Sequence, residues 1–402
     1  MKSYNVDEKM KDIELIKIGL IKVCKSKKNK KKGKNRKYNQ AQAILKDPDK
    51  YADMILEIIL ATEIVMNREE QEIYIEDDIQ EISYNPEKCE AFTIKDGLSQ
   101  KEREITSVPL YPDQFIHQLL IEAAQDVWMK GMYKYSCGSI PKRGAHKGQK
   151  YIKKYIKRHN TRDKTAIKNG AQLDITKCYQ SFSHGYLKSQ LKRKFRGKLF
   201  LYIIFKVIDS YAHTEINDVC YGLPIGYSTS QWLCNFGLTP LDHYIKCELG
   251  VEFYVRYIDD MIIFGRNKKE LHKQVKLIAE FIENSGLSIK SNWQVFRYDY
   301  INRNGDRKGR AFDTLGQRFF RDKTILRKRN ALKIKRQVQK LYKSKEITAH
   351  DARSLMSRLG QIKHCNSYNF YTKHIKPFVD IKKLKELIRI ESRKHSKTCK
   401  AI

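Results

Sequence analysis

Three carboxylates constrain this chain more than any other feature. Asp174 lies in Leu173-Asp174-Ile175-Thr176-Lys177-Cys178-Tyr179, and Asp259-Asp260 sit inside Phe253-Tyr-Val-Arg-Tyr-Ile-Asp-Asp-Met-Ile-Ile-Phe264. The second segment is two runs of β-branched and aromatic residues meeting at an acidic pair. That pattern predicts a β-hairpin with both aspartates at its tip. A strand ending at Asp174 beside the hairpin brings a third carboxylate within reach of the same ions. Hard oxygen ligands of this kind suit Mg²⁺, which keeps several waters and takes one or two carboxylates together with substrate phosphates. Two such ions roughly 3.5–4 Å apart stabilise the attacking and leaving oxygens of a phosphoryl transfer. The donor set therefore points to nucleotidyl transfer.

Charge narrows the partner. The chain has 402 residues, long enough for one large domain or two to three small ones. Its 80 Lys+Arg against 46 Asp+Glu give a formal charge of +34, far more than solubility needs. Such an excess marks a binder of polyanions, in which each neutralised phosphate releases counterions. A membrane surface fits less well, because no long uncharged apolar stretch and no signal-peptide pattern is present. The run Leu199-Phe-Leu-Tyr-Ile-Ile-Phe205 is apolar but too short to span a bilayer. Nine cysteines without a C-x-x-C pair argue against a disulfide framework or zinc knuckle, and lead us to expect a reducing, cytoplasmic setting. Most of them read as small buried hydrophobes.

Apolar spacing predicts helices over Asp7–Val23 and Tyr51–Val65. Between them, Lys25-Ser-Lys-Lys-Asn-Lys-Lys-Lys-Gly-Lys-Asn-Arg-Lys37 reads either as a solvated arm or as an ordered phosphate-binding element. The acidic run at residues 69–81 reads as a solvated strand or loop face. Strand and turn signals begin near Lys101, followed by a helix over Asp113–Trp128. A Gly/Lys-rich loop comes next, Tyr135 to Gly148, whose amides and cations could cradle a triphosphate. From about residue 321 the chain is helical and basic. Thr348-Ala-His-Asp351 has capping-box spacing and opens a helix running to Gly360.

The carboxylate motifs stand in a fixed order with two others. Gly222-Leu-Pro-Ile-Gly226-Tyr-Ser-Thr-Ser230-Gln231 lies between them and leads into an apolar helix. Phe312-Asp-Thr-Leu-Gly316-Gln-Arg-Phe319, a strand–Gly turn–strand signature, follows. This set resembles reverse transcriptases, over roughly residues 100–330. The resemblance implies an α+β right-hand polymerase: a basic helical N-terminal region and start of the fingers over 1–100, fingers and palm (antiparallel sheet plus helices) over 101–320, and a helical basic thumb over 321–402. It makes Asp174, Asp259 and Asp260 catalytic, and the same three with the Ile175 carbonyl ligands of two Mg²⁺ ions, Mn²⁺ being the alternative metal. Tyr179 falls where the family places an aromatic under the sugar, excluding a 2′-hydroxyl. Gly226 and Gln231 belong to the segment that packs against the templating base and incoming nucleotide, where glycine permits close backbone approach.

The chain departs from the family in two places. The register that often carries a triphosphate-gripping Arg holds Ile140, which leaves Lys142, Arg143, Lys101 and Arg103 as candidate cations. The lysine often found after a Gly-Leu pair is replaced at its register by Trp293, with Lys290 the nearest cation. The resemblance thus implies an RNA-directed DNA polymerase taking dNTPs, an RNA template or dedicated noncoding RNA, and a cDNA product. No maturase, HNH nuclease or RNase H pattern follows residue 330, so intron mobility and retroviral replication fit poorly. Ile225 and Ser230-Gln231 resemble two bacterial classes, defence-associated ("unknown group") and diversity-generating retroelement enzymes, and we expect a role in antiphage defence. The alternatives are mutagenic cDNA synthesis with an accessory protein, a noncatalytic RNA-binding scaffold that keeps the polymerase fold, and an RNA-dependent RNA polymerase. Priming mode and self-association are open at this level.

Overall fold

The computed structural model describes residues 5–27, 36–95, 102–162, 166–344 and 346–400. Lys101 and most of the lysine-rich run, residues 28–35, lie outside them. The N-terminal part is helical: α1 Val6–Lys11, α2 Ile13–Lys27, α3 Arg36–Lys46, α4 Pro48–Glu70 and α5 Asp77–Ile82. Strands β1 Glu90–Lys95 and β2 Glu102–Ser107 form an antiparallel pair ahead of α6 Phe115–Gly131 and the short β3 Ser136–Cys137. Helix α7 Ala145–Arg162 leads to β4 Asn169–Asp174, followed by α8 Cys178–Ser181, α9 His184–Lys194 and α10 Lys198–Asp209. The hairpin β5 Thr214–Ile216 and β6 Val219–Tyr221 precedes α11 Ser228–Gly237 and α12 Thr239–His243. Strands β7 Phe253–Tyr257 and β8 Asp260–Gly265 lead to α13 Lys268–Glu283. Five short strands follow: β9 Gln294–Arg297, β10 Tyr300–Ile301, β11 Arg307–Lys308, β12 Phe312–Thr314 and β13 Gln317–Phe319. The chain ends with β14 Thr324–Leu326 and helices α14 Lys328–Lys343, α15 Ala349–Leu359, α16 Tyr368–His374 and α17 Ile381–Lys400.

Two compact units result, each assembled from separated stretches of chain. The first holds residues 1–141, 173–261 and 273–293, and the second holds 142–172, 262–272 and 294–402. The cut passes through β4 after Gln172 and through β8 after Met261.

In the first unit α6 is the central helix. Phe115, Ile116, Leu119, Leu120, Ala123, Ala124 and Val127 are all buried, so it is apolar on nearly every side, as an internal helix must be. Its last turn carries Trp128, stacked on Trp232 of α11 with ring centroids 5.5 Å apart. Helices α1 and α2 occupy the span where apolar spacing predicts one helix. The break falls at Asp12, whose carboxylate accepts the Glu14 and Leu15 amides at 2.9 and 3.3 Å and caps the second helix. Asp7 acts likewise across a long gap in sequence, accepting the Leu199 and Phe200 amides at the start of α10 at 3.3 and 2.9 Å. The acidic run at 69–81 closes α4 and then forms α5, with Asp77 and Asp78 in its first turn. Carboxylates there face the positive end of the helix dipole, which is why a helix and not a strand takes that charge.

The second unit pairs residues 169–172 of β4 antiparallel with β9, and builds a meander from β12, β13 and β14. Its C-terminal helices bury Ile334, Val338 and Leu341 of α14 against Ala352, Leu355 and Leu359 of α15, with Ile375, Val379 and Leu384 completing the cluster. Thr348 caps α15 by accepting the Asp351 amide at 3.1 Å, while its hydroxyl donates to the Asp351 carboxylate at 2.6 Å. Among the described residues no helix is long and apolar enough to cross a membrane.

One buried acid in the first unit sets a pH dependence. Asp113 is fully buried, and desolvation pushes its carboxyl up to about 6, although the Tyr84 hydroxyl donating to it at 3.0 Å pulls the other way. The folded protein therefore holds this proton more tightly than the unfolded chain. The resulting stabilisation is fully present below about pH 4 and is lost as pH rises through about 6. Urea denaturation between pH 4 and 7 should show a fall of up to about 3 kcal/mol that Asp113→Asn abolishes. An unchanged slope in the variant refutes the assignment.

Candidate active site

The first unit contains the end of β4, the strand β7, and the tip that joins β7 to β8. Local backbone chemistry shapes that tip. Ile258 takes φ +56°, a left-handed conformation that a β-branched side chain adopts only under constraint. Its amide donates to the Cys137 carbonyl at 3.0 Å. Gly138, at φ +93°, makes room for it, since a Cβ there would stand 2.6 Å from Ile258 Cγ1. Asp259 and Asp260 follow directly, both half-buried.

Asp174 meets this tip through the main chain. The Ile175 amide donates to the Asp259 carbonyl at 3.3 Å, and on its other side the Lys290 amide donates to the Asp174 carbonyl at 2.9 Å. The neighbouring Thr176 amide donates to the Ser288 carbonyl at 2.8 Å. Strand end, hairpin tip and the segment after Gly286 thus run side by side. Lys290, which the sequence offers only as the cation nearest the register held by Trp293, places its Nζ 2.6 Å from Asp174 Oδ1. Both side chains are partly solvated, so the pair is a weak one in stability terms.

Electrostatics record how close the carboxylates are. The Asp259 carboxyl is raised above its ordinary range by burial and then by the Asp174 charge, with Lys290 and Arg103 pulling back. Arg103 lies on β2 opposite Ile94, and its charge acts on the acidic tip. Among the described residues no group of three or more His, Cys, Asp or Glu side chains is arranged to hold a metal ion. Asp174 and Asp259 nonetheless fit a hard divalent cation, being half-buried oxygen donors whose mutual repulsion such a charge relieves. Asp260 stands at the first position of β8, its charge felt by Tyr257.

The remaining predicted residues fall in two groups. Tyr179 sits in α8, five residues beyond Asp174, with its carbonyl accepting the Leu223 amide at 2.6 Å. That bond ties it to the Gly222–Gln231 segment. Burial, then the Cys234 and Cys178 thiols beside it, hold its phenol well above the usual range. Gly226, at φ +137°, permits a close approach, and the partner that uses it is protein. A Cβ there would lie 2.0 Å from the Thr106 carbonyl oxygen, and the Thr106 amide donates to the Ile225 carbonyl at 2.7 Å. Gln231 is exposed on α11, its carbonyl accepting the Asn235 amide group at 3.0 Å. Lys142 and Arg143 open the second unit, Lys142 exposed at φ +63° and Arg143 half-buried.

Comparison with known proteins bears on this geometry. The family model described as reverse transcriptase (RNA-dependent DNA polymerase) matches residues 95–319, a stretch holding Asp174, the Gly222–Gln231 segment, Asp259-Asp260 and Phe312–Phe319. The chain belongs to that family, and its fold is the α+β right-hand polymerase fold. No curated protein matches the sequence. Similar solved structures include a telomerase from Candida albicans with a TWJ fragment of telomeric RNA, at 13% identity and TM-score 0.44, covering 80% of this chain and 59% of that one. A C-terminally truncated apo telomerase from Candida tropicalis gives 16% identity, TM-score 0.34 and coverage of 54% and 44%. The apo telomerase of the same organism gives 11%, 0.45, 88% and 69%. The chain thus spans under two thirds of the first two telomerase chains.

Gly226→Ala should cost at least about 1–3 kcal/mol in denaturant titrations, because both the left-handed φ and the Thr106 carbonyl oppose a side chain. Wild-type stability in that variant sinks the proposed contact.

Proposed function

We propose that this chain copies RNA into DNA, transferring nucleotidyl units from dNTPs to a primer 3′-hydroxyl at the Asp174–Asp259–Asp260 site. The observation that carries the reading is the main-chain bond from Ile175 to Asp259, which keeps two carboxylates from distant parts of the chain together. Their negative charges concentrate where a nucleotidyl transfer assisted by divalent cations needs them, and the family supplies the reaction class. Asp174, Asp259 and Asp260, with the Ile175 carbonyl, would hold Mg²⁺, which would supply charge stabilisation to the reacting phosphate. In this reading Tyr179 packs under the sugar and excludes ribonucleotides, and Arg103 contributes positive charge for the triphosphate. Lys290 keeps Asp174 charge-compensated between turnovers. We assign residues 1–100 to the N-terminal region and start of the fingers, 101–320 to fingers and palm, and 321–402 to the thumb.

The biological role we propose is bacterial antiphage defence with a dedicated noncoding RNA as template or scaffold, in the cytoplasm. The +34 charge supports a large phosphate-rich partner held through salt-sensitive contacts. Ile225 with Ser230-Gln231 also supports a diversity-generating retroelement enzyme, which a variable-repeat pair beside the gene would favour.

Purified protein should incorporate dNTPs on a primed RNA template, and Asp259→Asn with Asp260→Asn should lower the rate by more than about a thousandfold. Incorporation that survives the double substitution refutes the assignment. Because the Lys290 ammonium shares the Asp174 carboxylate, Lys290→Ala should reduce the Mg²⁺ needed for half-maximal rate roughly two- to fivefold, as an exposed ion pair allows. A higher Mg²⁺ requirement contradicts competition for Asp174.

A further inference from the structure

A wholly buried polar network lies behind the acidic tip. Arg256 of β7 and Asp242 of α12 both have fully buried side chains. The guanidinium grips the carboxylate with two parallel bonds, Nε to Oδ1 at 2.8 Å and Nη2 to Oδ2 at 2.7 Å. The Tyr254 hydroxyl donates to the same Oδ1 at 2.8 Å. Two donors of the fork satisfied in this way fix the plane and direction of the third. That third group, Nη1, donates to the Ile258 carbonyl at 2.9 Å and to Asn235 Oδ1 of α11 at 3.2 Å. Asn235 in turn donates to the Gly138 carbonyl at 3.2 Å and to the Gln231 carbonyl at 3.0 Å.

Ile258 is therefore held at both ends of its own residue unit. Cys137 takes its amide hydrogen and Arg256 takes its carbonyl, while its φ of +56° is one that isoleucine avoids when free. A strained residue of this kind persists only where its surroundings over-determine it. The next residue is Asp259. Rotation of the 258–259 peptide would swing that carboxylate away from Asp174.

We infer that Arg256 is a positioning residue for Asp259 and Asp260, locked by Asp242 and Asn235 so that the helix following the Gly222–Gln231 segment and the acidic tip share one rigid support. The inference rests on the polymerase reading for its kinetic consequence, but its structural content stands apart from it. A buried ion pair of this type is a weak reason for stability in itself, and its selectivity for one backbone carbonyl is what marks a placing role. Misplacing a reacting group by about an ångström suffices for a hundredfold loss in rate.

The test uses full-length protein carrying Arg256→Lys, Asn235→Ala and Ile258→Asn, singly and as Arg256→Lys with Ile258→Asn. Asparagine accepts the left-handed conformation without outside help. Arg256→Lys and Asn235→Ala should lower kcat about tenfold to a hundredfold with KM for dNTP within about twofold. Amide exchange should quicken in the peptide spanning residues 253–264. Ile258→Asn should restore at least about fivefold of the kcat lost in Arg256→Lys and slow that exchange again. Wild-type exchange in Arg256→Lys and in Asn235→Ala overturns the inference, as does a double variant whose losses simply add. Should Arg256→Lys not fold, Asn235→Ala decides alone by the same two readouts. A wild-type protein that incorporates no dNTP defeats the polymerase reading, while exchange still decides the role of Arg256.

Discussion

Two negative charges held side by side are the constraint around which the first unit is organised. Burial makes the Asp259 charge costly, and repulsion from Asp174 adds to that cost. Main-chain hydrogen bonding keeps them there regardless. The Ile175-to-Asp259 bond sets the register, and the Lys290 amide secures the other side of Asp174. A backbone framework suits this task because it does not titrate and cannot rotate away as a side chain can. The repulsion is offset locally by the Lys290 ammonium and, at longer range, by Arg103.

Much of this was legible in the amino-acid sequence, and for identifiable reasons. The hairpin is visible because two runs of β-branched and aromatic residues flank an acidic pair, a local signal. Asp174 is visible because its motif precedes the Gly222–Gln231 segment and the acidic pair in a fixed order. The capping box at Thr348 works as its spacing says. By contrast, the break at Asp12 is hidden, since the apolar rhythm continues across it while one residue closes the first helix with its backbone amide and caps the second with its carboxylate. The acidic stretch at 77–82 looks like a solvated surface and is one, but helix dipole chemistry gives it shape.

Other features depend on long-range geometry that no window of sequence contains. Lys290 is offset from the register where a family lysine is expected, and only the antiparallel pairing of residues 288–290 with Asp174–Thr176 brings it to the carboxylate. Arg256 looks like one cation in an apolar strand. Its partners, Asp242 and Asn235, lie on a separate helical stretch, so the need for a buried counter-charge could be stated but not assigned. Gly226 announces close packing, yet a glycine carries no information about what approaches it.

That approach has a mechanical meaning. Where Gly226 meets Thr106, two backbones touch with no side chain between them to act as a cushion, and an amide-to-carbonyl bond pins the same spot. Side-chain interfaces slide by exchanging rotamers, whereas a bare backbone crossing has nothing to exchange. The β1–β2 pair and the entrance to α11 are therefore joined main chain to main chain, which couples the tilt of the pair to the helix that carries Gln231.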